Sequence, residues 1–264
     1  AQLNPWAMSV EEGNAAYPLM DAISRGKVSP LWTYDAASQA YDLRSAVAAW
    51  EGGWMQNLTG QTLRLRQEDA VGTATRGRAA PAVDAVKALT EGGWGVRLVA
   101  AAGASRDTLA VAGVATRARA EVDALDWQKP PAAGGGVRVA FVHPANRLAG
   151  AAYASDIRAA ISPQGEQWEF EVSSWQTETV TLSWPDLRAV PSRYQLVLED
   201  LATGEQRHLR TTAVYSFRAA GTPAQPEIRR FRLSVVPRGA VPLSFVSVRA
   251  LPSRGNGADL FVTL

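Results

Sequence analysis

The chain has 264 residues and a mass of 28.2 kDa, and its content of 47% hydrophobic and 20% charged residues excludes a disordered chain. Its 27 basic and 25 acidic side chains leave a formal net charge of +2, which is too small to indicate a nucleic-acid partner. It has no cysteine and two histidines, so disulfides, thiolate metal sites and cysteine nucleophiles are excluded.

Residues 1–68 predict a small, aromatic-rich β module that lacks its beginning. Trp32–Asp35 and Ala40–Leu43 alternate around a short turn, as the strands of a hairpin with aromatic cross-strand partners do. Thr62–Arg66 alternates in the same way and closes the module. Helical character is confined to residues 15–24. Residues 69–92 are rich in Ala, Arg and Gly and predict a linker, with a short helix over residues 82–89.

Residues 93–172 and 173–238 predict antiparallel β-sandwich structure, the second segment resembling an immunoglobulin or fibronectin type III domain. Short alternating runs recur at a spacing of about ten residues, with turn residues between them. Since no amphipathic helices separate these runs, a parallel β–α–β architecture is disfavoured. The predicted fold class is therefore all-β, with tandem sandwich modules, and the two segments form either two modules or one unit.

Residues 239–264 predict a terminal strand segment. An apolar–polar alternation over residues 242–248 is followed by a turn-like stretch at residues 252–257 and then by a second strand. A terminal strand pairs either within its own chain or with a neighbouring subunit. The residues that would be exchanged are Ala258, Asp259, Leu260, Phe261, Val262, Thr263 and Leu264.

Several motifs follow one another in an order that resembles a known group of proteins. They are Leu3-Asn4-Pro5-Trp6, Leu31-Trp32-Thr33-Tyr34-Asp35, Gly52-Gly53-Trp54, the segment Glu121–Pro131 and Leu182-Ser183-Trp184. This order resembles the C-terminal tandem β-sandwich region of large secreted bacterial surface proteins, of the type IX secretion-like or flagellar-hook-scaffold-like kind. The resemblance implies an extracellular, cell-surface location and a non-catalytic role.

The strongest candidates for a binding face are five aromatic residues close together in the first module: Trp32, Tyr34, Tyr41, Trp50 and Trp54. Aromatic residues at alternate strand positions usually form the core of a small β module. Exposed Trp and Tyr rings also stack on sugar rings or bind proteins. Core packing, a sugar-binding face and a protein interface therefore all remain open for this group.

Three carboxylates, Glu121, Asp123 and Asp126, are candidates for a structural Ca²⁺ site, because Ca²⁺ prefers hard oxygen ligands. Their spacing differs from that of a dedicated calcium loop, so a solvated turn is the alternative. No other cofactor is expected. A Ser-His-Asp triad would have to use His143 or His208, and no Gly-x-Ser-x-Gly motif accompanies either of them.

The sequence therefore predicts a non-catalytic structural or interaction module of a secreted bacterial surface protein. Its expected partners are other domains of the parent protein or neighbouring subunits, with no nucleic acid and no membrane-spanning segment. Two alternatives remain. One is a subunit of a filament or layer that assembles by β-strand exchange, and the other is a polysaccharide-binding module of a secreted hydrolase.

Overall fold

The computed structural model describes residues 8–37, 39–43, 52–67, 85–119, 121–132, 135–142, 152–239, 247–252 and 258–263. Within these ranges the chain is all-β, as predicted, with two short helices. The strands are β1 (Met8–Glu12), β2 (Ala15–Pro18), β3 (Trp32–Asp35), β4 (Ala40–Leu43), β5 (Gly53–Trp54), β6 (Arg64–Gln67), β7 (Trp94–Ala102), β8 (Ser105–Val114), β9 (Val137–Phe141), β10 (Ser155–Arg158), β11 (Glu166–Ser174), β12 (Thr179–Ser183), β13 (Tyr194–Asp200), β14 (Gln206–His208), β15 (Val214–Arg218), β16 (Glu227–Pro237), β17 (Ser247–Pro252) and β18 (Ala258–Thr263). The helices are α1 (Leu19–Ser24) and α2 (Ala85–Leu89).

Two five-stranded sheets pack face to face and form the main body of the protein. The first sheet has the strand order β10-β8-β7-β12-β15, and the second has the order β14-β13-β16-β11-β9. Each sheet contains strands from both residues 93–172 and residues 173–238. These two segments therefore build one sandwich in the structure.

The sandwich forms because its strands alternate between apolar and charged side chains. In β11, Trp168 and Phe170 are buried, whereas Glu169 and Glu171 point to the outer face and pair with arginines of β16. The Phe170 ring stacks on the ring of Phe231 at a centroid distance of 5.5 Å. Burial of such rings supplies most of the driving force, at roughly 25 cal/mol per Å² of apolar surface.

One strand pair differs from the predicted antiparallel arrangement. β10 runs parallel to β8, with Ser155 opposite Val111 and Arg158 opposite Val114. Between these two strands the chain forms β9 in the opposite sheet and then returns. Because the chain crosses to the opposite sheet and back, β10 can pair with β8 in the parallel direction. The alternation of side chains predicts a strand but not its direction.

The N-terminal module contains two three-stranded sheets, with the orders β2-β1-β6 and β4-β3-β5. Its small core is formed by Val10, Leu19, Ala22 and Val28. The helix occupies only the second half of the predicted residues 15–24, because residues 15–18 pair with β1 as a strand. Pro18, with φ −51° and ψ 145°, marks the change from strand to helix.

This module packs on the outer face of the first sheet. Trp32 from β3 lies in an apolar cluster with Val111 from β8 and Ile157 from β10. Leu89 of α2 joins the same cluster and is 1% exposed. The end of the predicted linker is thus a helix packed against the sandwich, whereas residues 68–84 lie outside the described residues. Two apolar interfaces, one inside the sandwich and one beneath the module, hold the three layers together.

The terminal strand segment forms a hairpin. β17 and β18 pair antiparallel in a two-stranded sheet, with Ser247 opposite Thr263 and Pro252 opposite Ala258. Pro252 therefore ends a strand, where the sequence predicts the start of a turn. A proline fits this terminal position because it does not interrupt the hydrogen bonds of the strand interior.

Candidate ligand-binding cleft

The β3–β4 hairpin places two tyrosines side by side near its tip. Tyr34 lies opposite Tyr41, and their rings meet edge to face with centroids 5.3 Å apart. Asp35 Oδ1 accepts a hydrogen bond from the Ala37 amide at 3.2 Å, and Gln39 adopts a left-handed φ of 50°. Gln39 directly precedes Ala40, the first residue of β4.

The tryptophans of the predicted aromatic group lie deeper than the tyrosines. Trp32 is 0% exposed, and Trp54, opposite it in β5, is half-buried against the same apolar cluster. Trp50 lies outside the described residues. A fully buried indole cannot stack on a ligand, so Trp32 anchors the hairpin to the sandwich. Tyr34, which is 36% exposed, and the half-buried Tyr41 carry the accessible aromatic surface.

A buried ion pair lies on the sandwich side of the two tyrosines. Lys129 Nζ pairs with Asp107 Oδ2 and donates a hydrogen bond to the Val139 carbonyl at 2.5 Å. Asp107 also accepts hydrogen bonds from the amides of Val139, at 2.8 Å, and Leu109, at 3.2 Å. Burial lowers the pKa of Lys129, and the charge of Asp107 opposes that effect. The pair links β8, β9 and the segment before Pro130.

An arginine and a tryptophan from the sandwich lie beside this ion pair. Arg138 Nη2 donates a hydrogen bond to the Pro130 carbonyl at 2.8 Å, and burial lowers the pKa of its guanidinium. The Trp175 amide donates to the Gly136 carbonyl at 3.0 Å. Gly136 has a φ of +81°, and a Cβ there would lie 2.3 Å from Ser105 Oγ. The glycine therefore allows this loop to approach β8 closely.

Together these groups form a cleft between the N-terminal module and the sandwich, which we call the tyrosine cleft. The space between its walls is about 410 Å³ when the open solvent at its mouth is included. A hydrogen bond of 3.2 Å from Gln176 to Gln39 ties the hairpin tip to the sandwich beside it. The chemically distinctive residues that line the cleft are Tyr34, Gln39, Tyr41, Asp107, Lys129, Arg138 and Trp175.

Sequence patterns identify the two tyrosines but miss the sandwich side of this cleft. Asp107 and Lys129 are separated by 22 residues and belong to no recognised motif. One signal is present, because the chain has only three lysines and Lys129 stands directly before Pro130-Pro131. A scarce cation that follows Trp127 closely and directly precedes two prolines indicates a specific structural or binding role.

The predicted calcium residues shape a loop that covers the edge of the first sheet. Asp123 accepts hydrogen bonds from the amides of Arg119 and Leu125, and Asp126 accepts from the amides of Asp123 and Ile157, at distances of 2.7–2.9 Å. Burial raises the pKa of Asp126 to about 7, although these amides favour its charged form. Glu121 is exposed. Among the described residues, no group of three or more His, Asp or Glu side chains is arranged to hold a metal ion.

The other predicted site residues lie elsewhere. Residues 258–263 form the strand β18 of the terminal hairpin, and Leu264 lies outside the described residues, as does His143. His208 is half-buried at the end of β14, where its Nδ1 lies 3.1 Å from Gln195 Nε2. His208 therefore contacts a neutral amide in the second sheet and lies outside the tyrosine cleft.

No protein-family model matches the chain, and no curated protein or solved structure matches it either. The resemblance to secreted bacterial surface proteins therefore stays a prediction. In the part of the chain that the structure describes, no helix has the length and apolar character needed to cross a bilayer.

Proposed function

We propose that this chain is a non-catalytic interaction module of a secreted bacterial surface protein and that the tyrosine cleft is its binding site. In this proposal the sandwich, of immunoglobulin-like or fibronectin type III-like type, is a rigid support for the cleft. The observation that carries the proposal is the position of Tyr34, an exposed ring held over a pocket that contains buried cations.

The roles of two buried ion pairs support a binding function without catalysis. The Asp107–Lys129 pair and the Asp200–Arg229 pair each join separate strands or loops and accept further hydrogen bonds from within the fold. A general acid or base needs a proton-accepting or proton-donating atom directed at a substrate. The carboxylates and cations of these two pairs are directed at one another and at the backbone, so they contribute to stability rather than to catalysis.

The composition of the cleft favours a sugar as the ligand. Sugar-binding sites combine aromatic rings, which contact the C–H face of a pyranose, with amide and charged groups that hydrogen-bond to its hydroxyls. Tyr34, Tyr41 and Trp175 supply the rings, and Gln39 supplies the amide. The predicted polysaccharide partner is thus the one whose chemistry fits this cleft.

Isothermal titration calorimetry with a panel of neutral and acidic sugars tests this proposal. We expect wild-type protein to bind at least one sugar and Tyr34→Ala to weaken that binding at least tenfold. Ile228→Ala, which removes another exposed apolar side chain from outside the cleft, should leave binding unchanged. Absence of binding across the panel, or equal loss in both variants, would contradict the proposal.

The terminal hairpin favours a second candidate function, assembly by β-strand exchange. Within the described residues, β17 and β18 pair only with each other, so each strand has one edge whose backbone groups are available to another chain. Deletion of residues 258–264 should then convert an assembled protein into monomers in sedimentation velocity experiments. An assembly state that the deletion leaves unchanged would exclude this candidate.

A further inference from the structure

The cleft contains two cations and one carboxylate. The Asp107 carboxylate accepts three hydrogen bonds from within the fold, because Oδ2 receives Lys129 Nζ and the Val139 amide while Oδ1 receives the Leu109 amide. Lys129 in turn donates its second hydrogen bond to the Val139 carbonyl. This pair therefore balances its own charge inside the fold.

Arg138 is the remaining cation of the cleft. Its guanidinium is partly buried and donates through Nη2 to the neutral Pro130 carbonyl. The Asp107 charge acts on Arg138 and partly opposes the lowering of its pKa by burial, but that carboxylate is already paired with Lys129, and among the described residues Arg138 forms no ion pair of its own. A partly buried cation that shares one carboxylate with a second cation is costly, and an incoming anion reduces that cost. The cleft thus carries one net positive charge next to its aromatic wall.

We propose that the tyrosine cleft binds an acidic sugar residue, a uronic acid, whose carboxylate pairs with Arg138. This inference rests on the proposed function and specifies its ligand class. The planar guanidinium forms two parallel hydrogen bonds to a carboxylate. Tyr34 and Trp175 contact the sugar ring, and the Gln39 amide hydrogen-bonds to its hydroxyls.

The charge of the cleft favours a carboxylate over a phosphate. A uronate carries one negative charge, which matches the single uncompensated charge of Arg138. A phosphate group carries nearly two negative charges near neutral pH. Its second charge would lie close to the buried Asp107 carboxylate without a further cation to balance it. A simple carboxylate such as acetate lacks the ring that the aromatic residues contact.

Calorimetry with D-galacturonate, D-galactose and acetate at millimolar concentration tests this inference. Galactose is the matched neutral control, since it differs from galacturonate only in carrying a hydroxymethyl group in place of the carboxylate. Wild-type protein should bind galacturonate at least tenfold more tightly than galactose or acetate. An increase in salt concentration should weaken the binding of galacturonate but not that of galactose.

Variants assign the effect to Arg138. Arg138→Gln keeps a donor for the Pro130 carbonyl, and it should reduce the affinity for galacturonate to that for galactose. Arg188→Gln, at an exposed arginine outside the cleft, should retain the preference for galacturonate. Thermal unfolding of each variant checks that it is folded. The comparison of the three ligands on wild-type protein still tests the inference if Arg138→Gln does not fold.

The outcomes separate this inference from the proposed function. Equal binding of galacturonate and galactose that depends on Tyr34 would overturn the preference for an acidic sugar and leave the cleft as a sugar site. A preference for galacturonate that survives Arg138→Gln would overturn the role of Arg138. Acetate that binds as tightly as galacturonate would overturn the sugar component. Absence of binding by every sugar would overturn both proposals.

Discussion

Two buried aspartates in the same sandwich have similar partners and different surroundings. Asp107 and Asp200 are 5% and 1% exposed, and each accepts hydrogen bonds from a cation and from the backbone. Asp200 binds Arg229 and the Tyr215 hydroxyl, at 2.7 and 2.6 Å, in a cluster at the end of β13. Asp107 lies instead beneath an open cleft.

The difference lies in the local balance of charge. The Arg229 side chain is 16% exposed and its guanidinium lies over the Phe217 ring, so part of this side chain stays in contact with water. Lys129 is 5% exposed, and a second cation, Arg138, lies beside it in the cleft. The comparison indicates that the charges of the Asp200 cluster balance within the fold. The Asp107 pair instead belongs to a cleft in which the Arg138 charge has no carboxylate of its own.

The largest expected effect comes from Asp107→Ala. This change leaves the Lys129 ammonium buried without its counter-ion, and we expect the free energy of unfolding to fall by about 3–5 kcal/mol. Urea denaturation measures the effect. The double change Asp107→Leu with Lys129→Met removes both charges and should recover most of the loss. A double variant that is no more stable than Asp107→Ala would show that the ion pair is not the source of the effect.

Asp200→Ala should cost less, about 2–3 kcal/mol, which is typical of a lost hydrogen bond to a charged group. The cost is smaller than at Asp107 because the partly exposed Arg229 keeps contact with water. The same urea experiment measures it, and Glu171→Ala, which removes an exposed ion pair with Arg230, is the control with an expected cost below about 1 kcal/mol. A larger loss at Asp200 than at Asp107 would reverse the comparison.

The stabilisation by Asp200 should also depend on pH. Burial alone would raise the pKa of Asp200, but hydrogen bonds from Arg229, Tyr215 and the Ala202 amide hold that pKa below its ordinary value. The folded state therefore favours the charged carboxylate. This contribution is complete above the ordinary pKa of 3.8 and is lost as the pH falls through the lower folded value.

Unfolding free energies of wild-type protein and Asp200→Asn, measured from about pH 6 to about pH 2, test this dependence. The stability advantage of the wild type should be constant near pH 6 and should shrink at the acidic end. An advantage that stays constant over the whole range would mean that the charge of Asp200 does not contribute.

The smallest expected effect on stability comes from Arg138→Gln. Since this arginine forms no ion pair of its own among the described residues and glutamine keeps a donor for the Pro130 carbonyl, the free energy of unfolding should not fall by more than about 1 kcal/mol. Thermal and urea denaturation measure the change. A loss as large as that of Asp107→Ala would assign Arg138 to the structural ion pair and would remove the distinction between the two regions.

Local patterns predict the elements of this fold better than they predict its contacts. The alternation of Trp168, Phe170 and Val172 with glutamates identifies β11, and the alternating Trp32 and Tyr34 identify the aromatic hairpin. The parallel direction of β10 depends on a crossover through the opposite sheet, which no local pattern encodes.

The two sides of the tyrosine cleft also differ in how far the sequence predicts them. Tyr34 and Tyr41 are neighbours across a short turn, so cross-strand alternation predicts their proximity. Asp107, Lys129 and Trp175 meet only after β8, β9 and β11 have taken their places in two sheets. Their proximity is a consequence of tertiary packing, and a single sequence contains no periodic signal for it.

The most direct test of the tyrosine cleft as an acidic-sugar site is a crystal structure of the protein with D-galacturonate. We predict electron density for one sugar in the cleft, with its carboxylate hydrogen-bonded to the Arg138 guanidinium and its ring against Tyr34. An empty cleft at saturating ligand concentration, or a sugar bound only elsewhere on the protein, would contradict this account.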